Sequence, residues 1–339
     1  MRKINSLGLK ISIQLPVSLP SPPVEEPRGQ RSGSLPALSS PGIAPRVRAQ
    51  SEKLAALDTE MRKVRVDIHA RRQPDADTLK ADLSNIRSIV QAQNLRKPGL
   101  ELSYHGSSES LVDAMRNLDT SQNHQFRAIF RIDNRPQGMH HAVVDVRVKP
   151  DMPPTVIAME TATMGAGDNI DSYSEFVDQL RSVPGMQEAR VVVIDAEAQK
   201  SDADCVMFGL SFASRMHKDA GLLEGWHEKL AQDVPLGTNL RRDRLPNGVE
   251  VLDGQKLLPA SFFKHAHSLT RPLEVRPELA EAVVGRDSDG KPETLAARKE
   301  RFTDRRSTER GQKTTSTSID YKRHDYLKKT IETLAAHQE

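Results

Sequence analysis

The stretch MHHAVVDVRVKP, residues 139–150, alternates along its length. This alternation, followed by two more valine- and isoleucine-rich runs, constrains the fold more than any other feature. Ala142, Val144, Val146 and Val148 share one side, expected to be buried. His141, Val143, Asp145 and Arg147 share the other, expected to be the polar side. Pro150 and the following DMPP end that strand, and TVIAME (155–160) reads as its hairpin partner. A helix is expected over 169–182, and QEARVVVIDAEA (187–198) is a third strand. A short loop then leads to CVMFGLSFASRMH, where Phe208, Phe212 and Met216 recur every fourth residue, as on a buried helix. Strand, strand, helix, strand, helix indicates a mixed α+β core.

The flanks read differently. Residues 1–50 are rich in Pro, Ser and Gly and are expected to be disordered. From Ser51, a plausible N-cap, Leu54, Leu57, Met61, Val64 and Ile68 follow helical spacing, and PDADTLKADLSNIRSIVQAQN gives a second amphipathic helix. The expected organisation is therefore a disordered start at 1–50, N-terminal helices at 51–100, a catalytic core at 101–240 and a basic C-terminal regulatory part at 241–339. Residues 291–329 hold twelve Lys or Arg against six Asp or Glu, and IDYKRHDYLKKTIETLAAH reads as a C-terminal helix.

Aromatic residues are only 4% of the chain, which fits a sequence that is partly outside any core. The net charge of +3 gives no reason to expect nucleic-acid binding. No apolar run approaches the roughly 20 residues of a membrane helix. The start lacks a continuous apolar segment of secretory type, and Arg2 excludes N-myristoylation, so neither leader nor anchor is expected. Cys205 is the only cysteine, so no internal disulfide is available and a reducing compartment is expected.

That cysteine opens its helix. A helix N-terminus and a nearby imidazole both lower a thiol pKa, which would make Cys205 a nucleophile rather than core filler. His140 shares its side with Ala142 and Val144, whereas His141 shares its side with Asp145, so His141 is the expected base. Asp145 lies four residues further along the strand, about 13 Å away, too far to hold the ring. Glu160, closing the second strand, is expected to return beside His141 in the hairpin. Gln199, in the loop before Cys205, is the expected oxyanion donor, together with backbone N–H groups at the helix start.

The segments HHAVVDVRV, TVIAME, QKSDADCVMFGLSFASRMHKD and SFFKHAHS resemble the YopJ family of type III secreted effector acetyltransferases. The resemblance runs from about Ser103 to the C-terminus. It implies a cysteine-protease-like core of the ubiquitin-like-protein protease type, with a helical regulatory part from the N- and C-terminal segments. It implies a His-Glu-Cys triad carried by His141, Glu160 and Cys205, with Gln199 in support. It implies acetyl-CoA as co-substrate, Ser, Thr or Lys of host proteins as acceptors, inositol hexakisphosphate as activator, and secretion into the host cell. The basic C-terminal part fits a polyanion independently, and Lys264, His265, Arg301, Lys322 and Arg323 are the candidates to hold it. Val206 departs from the glycine that usually follows the family cysteine and bears on catalytic rate. Two alternatives stay open: a ubiquitin-like-protein cysteine protease, for which the same triad would serve, and an inactive adaptor binding host proteins.

Overall fold

The computed structural model describes residues 43–132, 139–165, 169–308 and 311–337. The chain divides into Met1–Pro45 and Arg46–Glu339, and the architecture below is that of the second unit. The proline-rich start lies outside the described residues up to position 42. In chain order the elements are α1 (Ile43–His69), α2 (Ala76–Arg96), β1 (Leu102–His105), α3 (Ser108–Arg116), β2 (His124–Arg131), β3 (His141–Val148), β4 (Thr155–Glu160) and α4 (Asn169–Arg181). Then come β5 (Arg190–Asp195), α5 (Cys205–Lys218), α6 (Ala220–Ala231), β6 (Arg241–Arg244), β7 (Glu250–Asp253), α7 (Gly254–Leu257) and a 3-10 turn at Ala260–His265. The C-terminal part adds α8 (Thr270–Val275), a second 3-10 turn at Pro277–Glu281, β8 (Val283–Arg286), β9 (Pro292–Thr294), α9 (Leu295–Phe302), β10 (Thr303–Thr308), β11 (Gly311–Ser316) and α10 (Ser318–Ala336).

Seven strands form one mixed sheet in the order β1-β2-β3-β4-β5-β7-β6. β3 pairs antiparallel with β4, as the hairpin reading requires, with Val143 opposite Met159. β5 runs parallel to β4 and places Asp195 beside Glu160. β6 and β7 lie beyond residue 240 yet continue this sheet, so the expected boundary at 240 does not separate a core from a C-terminal part. The physical reason is that β5 needs a partner on its far side, and Val251 and Leu252 supply it.

β3 is a central strand, and every one of its residues is buried. Ala142, Val144 and Val146 share one buried cluster with Tyr173, Phe176 and Val177 of α4 and Leu111 and Met115 of α3. Val143, with Ile157 and Ile194, belongs to the core that holds Phe208, Phe212 and Met216 of α5 and residues of α2 and α10. The side holding His141, Asp145 and Arg147 is therefore not solvated, which corrects the expectation of a polar face. Its charges are met internally: Arg127 Nε lies 2.8 Å and His227 Nε2 lies 3.0 Å from the Asp145 carboxylate, and Arg147 pairs with Glu224.

Local signals account for the helix starts. Asp75 and Thr78 form a reciprocal cap on α2. Ser51 lies inside α1 instead of capping it, because the helix already begins at Ile43. At α5, Asp204 occupies the N-cap position but makes no side-chain cap bond, since its carboxylate is drawn away to Arg323 and His267.

Candidate active site

α5 and the head of β3 meet at the sulfur, and β4 runs alongside β3. Cys205 is the first residue of α5, His140 and His141 stand at the head of β3, and Glu160 ends β4. The Cys205 thiol donates to the Met139 carbonyl at 3.3 Å, and Sγ lies 3.6 Å from His141 Nδ1. The Glu160 carboxylate is not behind His141. Its Oε2 lies 2.7 Å from His140 Nε2, and its Oε1 accepts from the Ala162 amide at 2.6 Å. The expected Glu160–His141 pairing is thus corrected to Glu160–His140. The alternation argument failed because the strand starts at His141: His140 precedes it and is not bound to the side of Ala142. His140 keeps 17% of its side chain exposed, while His141 is buried at 1%.

The thiol is in a neutral resting state. Burial, and then the Asp204 charge, push the Cys205 pKa up to about 12, against lowering contacts from the backbone N–H groups of His141 and Val206. The expectation of a lowered thiol pKa fails here because desolvation of a sulfur only 1% exposed outweighs the helix terminus. Burial would raise the Asp204 pKa as well, but the Arg323 charge and the His267 hydrogen bond hold it well below the usual carboxylate range. Val206, fully buried in the core, offers its backbone N–H to the sulfur.

Gln199 is buried in the loop before α5. Its Oε1 accepts from Thr161 Oγ1 at 3.0 Å and its amide donates to the Ser201 carbonyl, so the side chain braces this loop. The loop is further tied by Lys200 N, which donates to His267 Nδ1 at 2.9 Å.

The five basic candidates separate. Arg323 is 1% exposed and bonds Asp82 at 3.0 Å, Asp204 at 2.6 Å and Asp320 at 3.1 Å. It is a buried counter-charge joining α2, α5 and α10, not an exposed anion ligand. His265 is buried; burial, with Arg298 and Lys322 close by, drives its pKa well down, and its Nδ1 lies 2.8 Å from Ser318 Oγ. Arg301 is paired with Glu293 at 2.6 Å and Lys322 with Asp325 at 2.9 Å. Lys264 stays half-buried, its pKa lowered to about 8 by burial and by Arg298 and Arg215.

A cationic cluster that the sequence reading missed lies between α2, α5 and α10. Burial, followed by the charges of Lys322, Lys218, Arg96 and Lys329, lowers the Lys97 pKa to about 7. Lys97 Nζ donates to Ser214 Oγ at 2.8 Å. Arg215 and Lys218, on the last turn of α5, add to the crowding. Mutual repulsion of this strength marks a place where an anion would be stabilised. Only the run of basic residues at the end of α5 hinted at it; Lys97 is over a hundred positions away in sequence.

A thiol at a helix start 3.6 Å from His141, whose chain neighbour His140 is held by Glu160, on a sheet with helices on both sides, has the layout of the cysteine-protease-like fold class. The sequence pattern described as YopJ Serine/Threonine acetyltransferase matches residues 57–329, and the chain belongs to that family. It is 28% identical over 243 residues to the serine/threonine-protein acetyltransferase HopZ1a of Pseudomonas syringae pv. syringae, covering 65% of each protein. It is 33% identical over 172 residues to a serine/threonine-protein acetyltransferase of Sinorhizobium fredii, covering 50% of this chain and 62% of that one. The matches therefore span slightly less than two thirds of these relatives' length. The fold is that of the crystal structure of HopZ1a in complex with IP6 and CoA, at a TM-score of 0.69 and 23% identity over 85% of this chain and 98% of that chain. A structure of AvrA with IP6 and CoA matches at 0.65 and 20% identity, over 82% and 98%.

Proposed function

We propose that this protein is an acetyltransferase that carries acetyl from acetyl-CoA through a Cys205 thioester to Ser, Thr or Lys side chains of host proteins. The observation that carries the reading is the 2.7 Å His140–Glu160 pair, with His140 placed in the chain between Met139, whose carbonyl accepts from the thiol, and His141, whose Nδ1 is 3.6 Å from the sulfur. Glu160 holds His140 by Nε2, which leaves Nδ1 as the atom that exchanges a proton with the thiol. His140 takes the Cys205 proton, and the thiolate attacks the acetyl carbonyl. The CoA thiolate leaves with the proton from His140. His140 then deprotonates the acceptor hydroxyl or amine, which takes the acetyl group and releases the Cys205 thiolate. Backbone N–H groups at the start of α5, with the second amide hydrogen of Gln199, are the proposed oxyanion donors.

Inositol hexakisphosphate is the proposed activator, since relatives in this fold are described in complex with IP6. Lys97, Arg215, Lys218, Lys264, Lys322 and Lys329 are the side chains proposed to hold it, because their charges crowd one another. Arg301, paired with Glu293, stays a candidate apart from this set. With the sulfur 1% exposed, acetyl-CoA reaches it only after the rim opens, and a ligand joining α2, α5 and α10 is suited to shift that rim. Delivery into the host cell by a type III system accompanies this reading. Among the described residues no helix is long and apolar enough to cross a membrane.

The test is incubation of the full chain with radiolabelled acetyl-CoA, with and without inositol hexakisphosphate, beside Cys205→Ala. Label on the parent that needs the polyanion and is absent from the variant is expected. Equal labelling of Cys205→Ala would refute the thioester, and cleavage of a ubiquitin-like fusion without acetyl transfer would return the protease reading.

A further inference from the structure

The second imidazole of the doublet is engaged at both nitrogens. His141 Nδ1 lies 2.7 Å from the Met139 carbonyl oxygen and 3.6 Å from Cys205 Sγ. A carbonyl oxygen only accepts, so Nδ1 carries the hydrogen. In a neutral ring Nε2 is then the acceptor, and the Tyr104 hydroxyl, 3.3 Å away, donates to it. The two rings stack at 5.9 Å between centroids and 22° between planes, and the Arg87 guanidinium stands 5.7 Å from the Tyr104 centroid. Burial raises the Tyr104 pKa, so the phenol keeps the proton it donates. Burial first, with His140 and Arg131 adding to it, lowers the His141 pKa to about 4, against the Met139 hydrogen bond, so the ring stays neutral near pH 7. A ring whose Nδ1 hydrogen is held by a carbonyl and whose other lone pair is filled does not accept the thiol proton.

We propose that His141 is a hydrogen-bond donor to the Cys205 thiolate, and that Tyr104 is a positioning residue that locks His141 in the Nδ1–H tautomer. In the resting state the thiol donates to the Met139 carbonyl, the oxygen that also takes the His141 Nδ1 hydrogen. When the thiol proton moves to His140, the sulfur becomes an anion and is repelled by that carbonyl. The Nδ1 hydrogen is then a small ring rotation from the sulfur and joins the backbone N–H groups of His141 and Val206 as a third donor. No proton is transferred to His141. The charged and titratable groups facing this arrangement are Arg87 and Asp82 of α2, Arg131 of β2, His140 ahead of β3, and Asp204 before α5. The proposal rests on Cys205 being the nucleophile and not on which acyl donor it uses.

The test is the rate of Cys205 alkylation by iodoacetamide across the rising limb of its pH profile, in the full chain. An asparagine amide places an N–H close to the position of Nδ1 but has no basic nitrogen. His141→Asn is therefore expected to track the parent, while His141→Phe shifts the limb up by about one pH unit, so about tenfold slower at a given pH. Tyr104→Phe is expected to shift it in the same direction by a smaller amount. Circular dichroism melts identify any unfolded variant, and His141→Ala replaces His141→Phe if the latter does not fold. An Asn variant as slow as the Phe or Ala variant, or Phe and Ala profiles superimposed on the parent's, would overturn the donor role. An unmoved Tyr104→Phe profile would overturn the positioning role. Failure of the parent to transfer acetyl would remove the acetyltransferase reading while leaving these profiles to be judged on their own.

Discussion

The Glu160 carboxylate and the His140 imidazole are joined at 2.7 Å across the open ends of β4 and β3, with Glu160 fully buried and His140 partly exposed. A carboxylate shielded from water holds a ring more firmly than a solvated one, and the exposed edge of the ring is where a substrate must arrive. Glu160→Gln is expected to lower acetyl transfer by about 10²–10⁴-fold, and His140→Ala by at least as much. His141→Asn should retain most of the activity. Initial rates at saturating acetyl-CoA check the order; a His140→Ala protein as active as the parent would remove His140 from the mechanism.

Arg323 faces Asp82, Asp204 and Asp320, all buried. Burial, with only Arg323 strongly opposing, already lifts the Asp82 pKa to about 7. Arg323→Met should cost about 3–5 kcal/mol, the range for leaving buried charge without its partner. Urea unfolding of the full chain measures this, and a loss below about 1 kcal/mol would contradict the role assigned to Arg323.

Lys97 is expected to set a pH dependence for the proposed polyanion binding. Its pKa is lowered to about 7 by burial and by Lys322 and Lys218, and a bound polyanion would raise it. The complex then binds more protons than the free protein above pH 7, so affinity falls as pH rises from 7, by up to about tenfold per unit. Below the free-state pKa this contribution is fully present and flat. Lys97→Arg, whose charge does not titrate, removes that part of the slope. Calorimetric titration of inositol hexakisphosphate at several pH values, in parent and variant, makes the comparison; equal slopes would exclude Lys97 from the site.

Gly254 opens α7 directly against the end of β5. A Cβ there would lie 2.6 Å from the Asp195 backbone oxygen and 2.9 Å from the Ala196 Cα, and neither backbone atom can swing aside. Gly254→Ala is expected to destabilise by about 1–3 kcal/mol. It should also lower activity, since β5 supports the Glu160 end of β4. Thermal unfolding followed by circular dichroism provides the check, with Gly248→Ala less informative because that glycine has a positive φ of 86°.

Much of the centre of the chain was legible from side-chain pattern. The alternation at 141–148, the run at 155–160 and the fourfold spacing after Cys205 each report a local backbone period, and each became the element it implied. The five short strands β1, β6, β7, β8 and β9 were not legible, because runs of three or four residues carry too little periodicity to stand out.

The sequence by itself determined the order of the central elements from β3 to α5, the single thiol at a helix start, the glutamate at a strand end and the family to which the chain belongs. These depend on neighbours in the chain, on spacing and on residue type. Only the tertiary structure decided which histidine Glu160 holds, that both sides of β3 are covered, and that Arg323 bonds three buried carboxylates while Lys97 is left among cations. Those outcomes depend on how elements far apart in sequence stack. Desolvation and charge pairing act through space, and no local pattern records the distance from Lys97, just after α2, to the last turn of α5.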